Sequence, residues 1–199
     1  TPEIFDVVER VLANEVAPAV VQSLVDQGVN AVALSGRTSG TLIAEPLTTL
    51  VDGTTADLGL VGVITSVNPE PINELVKSKK VPVISPIAVD CTGKGGLNVN
   101  ADLAAAAIAG ALNAEWLIIM TDVEGIFRNW PDRDSLISEI SAEELTKIKD
   151  EFKGGMAPKV KACLDAIEKG AKYVRIIDGR DPKALDEALN GTGGTVVFK

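Results

Sequence analysis

The 199-residue sequence contains no histidine. The usual base of Ser–His and Cys–His nucleophilic pairs is therefore unavailable, which removes much hydrolase chemistry. Its two cysteines, Cys91 and Cys163, are too few and too scattered for a disulfide framework or a zinc site, so a reducing cytoplasm is the expected compartment. Aromatic residues make up 4%, and the core must rest on Val, Ile, Leu and Ala. Basic residues are outnumbered, 19 Lys and Arg against 28 Asp and Glu, for a net charge of −9. That balance argues against a nucleic-acid surface or an anionic membrane as partner. The most apolar stretch, Leu103 to Met120, is interrupted by Asn113 and Glu115 and bracketed by Asp102 and Asp122. It reads as a helix followed by a buried strand rather than a membrane span, and no signal peptide is legible.

Hydrophobic residues at 46% and charged residues at 24% suit a globular domain of this length. "TPEIFDVVERVL" reads as a helix start: Thr1 can cap, Pro2 suits the first helical position and Glu3 the first turn. A chain opening on Thr rather than Met in this way is expected to begin partway into a larger protein. Ile4, Val7, Val8, Val11 and Leu12 recur at helical spacing and the pattern resumes through Val20, Val21, Leu24 and Val25, with Pro18 expected to separate or bend two helices. Strands are expected at "NAVAL" (30–34), "VPVISPIAV" (81–89), "WLIIM" (116–120), "YVRII" (173–177) and "GTVVF" (194–198), with a hairpin around "VDG" (51–53). Helices are expected at 69–80, 102–113, 141–149, 158–169 and 182–189. Almost wholly apolar strands alternating with helices predict an α/β fold with a parallel sheet covered on both faces. Ligands in such sheets sit beyond the carboxyl ends of the strands, which directs attention to "SGRTSG", "DCTGKGGLNVNAD", "TDVEG" and "DGRDP".

Three of these stretches can carry chemistry. "DCTGKGGLNVNAD" (90–102) is read as a glycine-rich loop entering a helix through Asn100, Ala101 and Asp102, and a helix start suits an anion. Capping by Asn100 and dipole compensation by Asp102, together worth about 1 kcal/mol, account for the same residues without a ligand. "TDVEGIF" (121–127) leaves a strand with Asp122 and Glu124 where a ribose or a metal-bound phosphate would meet them, although a polar turn would look the same. "GGMAPKVKACLDAIEKG" (154–170) places Lys159 in a first helical turn, where it opposes the helix dipole at a cost of about 0.3–1 kcal/mol. An anionic ligand reverses the sign of that cost, and two preceding glycines allow close backbone approach. Phosphoryl transfer fits this inventory, because it needs positioning and charge neutralisation more than a covalent group.

"NVNADLAAAAIAGAL", "WLIIMTDVEGIF", "WPDRDSLISEI", "GGMAPKVKACLDAIEKGAKYVRIIDGR" and "GGTVV" resemble, in order and spacing, the C-terminal part of N-acetylglutamate kinases of the amino-acid kinase superfamily. "GLVGVITSVNPEPINELVKSKKVPVISPIAVD" extends the resemblance over essentially the whole chain, and "WPDRDSL" is most similar to the actinobacterial form. The resemblance implies a three-layer α/β sandwich with a mainly parallel central sheet, like that of carbamate kinases, incomplete at the N-terminus. It implies one domain over 1–199, with 1–95 the remnant of an amino-acid-binding lobe and 96–199 the nucleotide-binding part. It implies transfer of the γ-phosphate of ATP to the side-chain carboxylate of N-acetyl-L-glutamate, giving an acyl phosphate for arginine biosynthesis. Lys159 and Asp102 would then be catalytic, Lys159 stabilising the transferring phosphoryl group and Asp102 organising the catalytic groups, and Asn98 would bind the amino acid. Thr121, Asp122, Val123, Glu124, Gly125, Ile126, Phe127, Gly155 and Met156 would line the nucleotide site. Mg2+ would be held through ATP rather than by protein side chains, and the protein would be a cytoplasmic homo-oligomer, at least a dimer.

The family also carries an N-terminal strand with a catalytic lysine, a glycine-rich loop and a substrate-gripping arginine, none of which has a counterpart here. Arg37 and Thr38 stand where a lysine and an aspartate are usual, and "NEVAPAVVQSL" lacks the usual small-residue and asparagine pattern. The 199 residues alone are therefore expected to have little kinase activity. A sister kinase for aspartate or a carrier-bound aminoadipate, and a nucleotide-binding or effector-sensing module without catalysis, are the alternative readings. Asp102 and Lys159 are expected to converge at one rim of the sheet.

Overall fold

A computed structural model describes residues 1–49 and 54–199 of the protein. The chain divides into two compact units, Thr1–Ala104 and Ala105–Lys199.

The first unit opens with a long helical run. Helix α1 (Pro2–Glu9) is capped by the Thr1 side chain, which accepts from the Ile4 N–H. A π-helical stretch (Arg10–Val16) leads without a break into α2 (Ala17–Asp26). Pro18 thus does not separate two helices. The Ala17 N–H reaches back five residues to the Leu12 carbonyl. This wide turn shifts the hydrogen-bond ladder just before Pro18, which then sits in the first turn of α2, where its missing N–H is tolerated.

Strands β1 (Ala31–Ser35) and β4 (Val81–Ser85) pair in parallel, Ala31 opposite Val81 through Ser35 opposite Ser85. Helices α2 and α3 (Glu70–Lys77) pack on this pair. The single strand expected over 81–89 is two strands. Pro86 has no N–H to give a ladder, and the chain leaves β4 there to start β5 (Ile87–Asp90) in a different sheet. That second sheet closes on itself in the order β2 (Leu42–Pro46), β3 (Val61–Val67), β6 (Gly96–Val99), β5. β2 and β3 pair antiparallel, and Thr49 and Thr55 form a further antiparallel bridge in their connection. The "VDG" expected at a hairpin turn lies outside the described residues.

The second unit is built on a four-stranded sheet in the order β10 (Glu139–Ser141), β12 (Thr195–Phe198), β11 (Tyr173–Asp178), β7 (Trp116–Thr121). β7 and β11 run parallel in register over six residue pairs, β12 runs antiparallel to β11, and β10 is parallel to β12. A small antiparallel pair, β8 (Ile126–Phe127) and β9 (Leu136–Ile137), stands beside it. Helix α5 (Ala142–Ile148) begins with a capping box, Ser141 and Glu144 each bonding the other's backbone N–H. Helices α6 (Met156–Glu168) and α7 (Ala184–Leu189) pack on β11. The core is aliphatic: Ile119, Val160, Ala162, Ala166, Val174, Ile176 and Val197 are all buried. One charge lies among them. Arg175 of β11, 4% exposed, donates from Nη1 to the carbonyls of Thr192 (2.7 Å) and Gly193 (2.5 Å) and so ties down the turn before β12. Its burial pushes the guanidinium pKa down.

Candidate functional site

The parallel pairing of β7 and β11 sets Thr121 opposite Asp178, so the loops that follow both strands leave the same sheet edge. Their backbones are joined there by side chains. Asp178 accepts from Arg180 through Nε (2.9 Å), Nη2 (2.8 Å) and the backbone N–H (2.9 Å), and Arg180 also donates to the Asp122 carbonyl. These donors hold the Asp178 carboxyl down at about 2. Across the loop, Arg133 Nη1 pairs with Glu124 Oε1 at 2.8 Å.

Thr195, fully buried on β12, fixes the next segment. Its hydroxyl accepts from the Ile126 N–H (2.8 Å) and donates to the Ile137 carbonyl (2.5 Å), bridging β8 and the end of β9. Gly125 lies against the same hydroxyl: a Cβ there would stand 2.4 Å from Thr195 Oγ1. The residue must be glycine because of this close approach.

The second wall comes from the start of α6. Gly155 is its N-cap residue and makes no side-chain cap hydrogen bond. The first N–H groups of a thirteen-residue helix therefore have no capping side chain, a setting that favours an anion. Lys159 sits half-buried at the end of that first turn. Together the walls enclose a cleft of about 730 Å³ lined by Thr121, Asp122, Val123, Phe127, Arg128, Asn129, Trp130, Glu151, Phe152, Lys153, Gly155, Met156 and Lys159. Apolar rings, three cationic side chains and an uncapped helix start share one concavity, which suits a ligand that is both planar and polyanionic. Among the described residues no group of three or more His, Cys, Asp or Glu side chains is placed to hold a metal ion.

Of the residues expected at a nucleotide site, Thr121, Asp122, Val123, Phe127, Gly155 and Met156 line this cleft, together with Lys159, expected to be catalytic. Glu124 lines a neighbouring recess with Arg133, Asp178 and Arg180. Gly125 and Ile126 are buried and anchor the loop to Thr195. Arg128, Asn129, Trp130, Glu151, Phe152 and Lys153 were not expected. The signal was present in "FRNW" and "EFKGG", where rings and cations stand immediately beside the motifs already singled out.

Asn98 and Asp102 belong to the first unit. The stretch 90–102 is not one loop running from a strand into a helix, as the sequence suggested. Gly96–Val99 forms β6, antiparallel to β5, so the glycines make a hairpin turn held by the Thr92 N–H on Asp90 Oδ1 (2.8 Å). Asn98 is half-buried on β6 opposite Ile87. Asn100 caps α4 (Ala101–Ala111), accepting from the Leu103 N–H at 3.0 Å, and Asp102 is half-buried in the first turn of that helix.

A mixed α/β chain whose parallel strands and uncapped helix start frame a cleft with three cations and two carboxylates has the class of site that suits anionic ligands. The model of the amino acid kinase family matches residues 1–178, and the chain belongs to that family. It is 45% identical over 190 residues to the acetylglutamate kinase of Arthrobacter sp. (strain FB24), an alignment covering 93% of this chain and 61% of that relative. The chain thus spans less than two thirds of that relative's length. Among solved structures, N-acetylglutamate synthase from Neisseria gonorrhoeae complexed with coenzyme A and N-acetyl-glutamate is 25% identical with a TM-score of 0.76, covering 94% of this chain and 43% of that one. The Giardia carbamate kinase, 19% identical with a TM-score of 0.70 over 98% of this chain and 71% of that one, shares the fold. The α/β architecture implied by the sequence is therefore that of the amino-acid and carbamate kinases.

Proposed function

We propose that the chain carries the ATP-dependent phosphorylation of the side-chain carboxylate of N-acetyl-L-glutamate, a step of arginine biosynthesis. The observation that carries this reading is the cleft itself, with Lys159 and the uncapped start of α6 facing the 121–127 loop. The relative named acetylglutamate kinase supports the choice of acceptor, as does the solved relative holding N-acetyl-glutamate. In this reading the second unit takes the nucleotide and the first takes the amino acid.

A carboxylate oxygen of the acceptor forms the new bond to the γ-phosphorus while the bond to the β,γ-bridging oxygen breaks, leaving ADP and an acyl phosphate. Lys159 and the α6 N–H groups stabilise charge on the transferring group, since such reactions depend on positioning and electrostatics. Asn98 binds the amino acid and Asp102 orients the catalytic groups. The residues lining the cleft fit a nucleotide, and Mg2+ held by its phosphates would neutralise part of their charge. The protein acts in the cytoplasm as a homo-oligomer, at least a dimer.

Calorimetric titration with Mg-ATP tests the site, and hydroxamate trapping tests the reaction. Binding should be weakened about tenfold or more by Lys159→Ala, in line with loss of a charge-assisted contact. Unchanged affinity removes Lys159 from the site. Hydroxamate should form only slowly from N-acetyl-L-glutamate with these 199 residues, and turnover at ordinary kinase rates would overturn that expectation. Preference for aspartate or aminoadipate points to a sister kinase, and binding without turnover of any carboxylate points to a sensing module.

A further inference from the structure

The indole of Trp130 has no role in the chemistry above, yet it is 61% exposed on a wall of the cleft. A large exposed apolar ring in a concave site marks a place where something is meant to cover it. It is also held in position rather than loose. Its ring meets Phe127 edge-on, centroids 5.2 Å apart at 67°, and Phe127 is buried on β8. Further along the same segment, Arg133 pairs with Glu124 (2.8 Å), and the Ser135 hydroxyl accepts from the Asn129 N–H (3.0 Å). The cleft is thus divided in character: Trp130, Phe127 and Phe152 supply rings, while Lys153, Lys159 and the start of α6 supply positive charge.

We infer that Trp130 is the platform on which the nucleotide's base stacks, with the phosphates directed to Lys159. This deepens the nucleotide reading of the cleft and rests on it. An indole edge-braced by a second ring offers a flat face at little conformational cost, and base–aromatic stacking requires no particular hydrogen-bonding edge.

The test separates base from phosphates. Mg-ATP and inorganic tripolyphosphate are titrated by calorimetry into the unsubstituted chain, Trp130→Ala, Trp130→Phe and Lys159→Ala. Trp130→Ala should lose about 5- to 160-fold in affinity for ATP, the range that removal of a base-stacking ring produces, and lose nothing for tripolyphosphate. Trp130→Phe should recover most of the ATP affinity, and Lys159→Ala should weaken both ligands. Trp116 stacks on Tyr173 (4.6 Å), so Trp116→Phe leaves Trp130 as the fluorophore, and ATP should quench its emission where tripolyphosphate does not. ATP affinity unaltered in Trp130→Ala, while Lys159→Ala still weakens binding, overturns the stacking role and leaves the nucleotide reading standing. An equal loss for both ligands in Trp130→Ala also overturns it, because the ring would then only shape the cleft. No binding of ATP to the unsubstituted chain overturns both.

Discussion

Thr195→Val removes one hydroxyl and nearly nothing else, because the two side chains have almost the same volume. That hydroxyl accepts from the Ile126 N–H at 2.8 Å and donates to the Ile137 carbonyl at 2.5 Å, and the residue is fully buried. Valine takes that partner away from both backbone groups, beside the Ile126–Ile137 pairing of β8 and β9. A buried polar group stripped of its partner costs about 1–3 kcal/mol, and because the two groups are paired neighbours their losses add to less than twice that, roughly 2–4 kcal/mol in total. For a chain of this size each kcal/mol lowers the midpoint by about 2–4 °C. Thermal and urea denaturation should therefore show Thr195→Val melting roughly 4–16 °C lower. Thr195→Ser is the control. It keeps the hydroxyl and gives up a methyl, a loss of about 1 kcal/mol. A valine variant within about 0.5 kcal/mol of the parent, or a serine variant less stable than the valine one, would refute the reasoning.

Three other outcomes follow from the same geometry. Asn100→Ala should cost about 1 kcal/mol, since Asn100 accepts from the Leu103 N–H at the start of α4, and denaturant midpoints for Asn100→Ala and Asn100→Asp measure it. Gly110→Ala should destabilise by about 1–3 kcal/mol, because the new Cβ would lie 2.4 Å from Lys169 Cβ and 3.0 Å from its carbonyl oxygen; melting unchanged by this substitution would show that the two helices do not meet so closely. Asp178 is expected to titrate near pH 2 rather than at its ordinary value of 3.8, because of its bonds from Arg180. Its folded pKa is depressed, so its contribution to stability is complete above the ordinary value and disappears as pH falls towards 2. Carboxyl NMR titration should find the midpoint returning towards 3.8 in Arg180→Ala.

Helix starts were legible because a cap is a contact over three or four residues. Thr1 with Ile4 and Asn100 with Leu103 behave as their side-chain chemistry requires. Proline was legible as an interruption but not as to its kind. Pro18 sits inside a continuous helical run because the π-turn before it absorbs the misfit, whereas Pro86 divides what reads as one apolar strand between two sheets. The glycines of 90–96 suggested a loop running into a helix, whereas Gly93 and Gly95 lie in a hairpin turn before β6, which is too short and too polar to declare itself. "YVRII" reads as an apolar strand, yet its Arg175 is buried on two carbonyls seventeen and eighteen residues away.

Composition and local spacing, by themselves, determined the α/β class, most helices, the strands β1, β7, β11 and β12, and the two segments that carry the cleft's motifs. Those properties follow from side-chain periodicity and from hydrogen bonds closed within a turn. Tertiary structure alone decided which pieces of chain face one another. Thr195 reaches Ile126 across 69 residues and Arg180 reaches Asp122 across 58, and Trp130 joins Lys159 in one cleft. Such meetings depend on strand order and register, which side-chain identity constrains only through the packing of the whole unit.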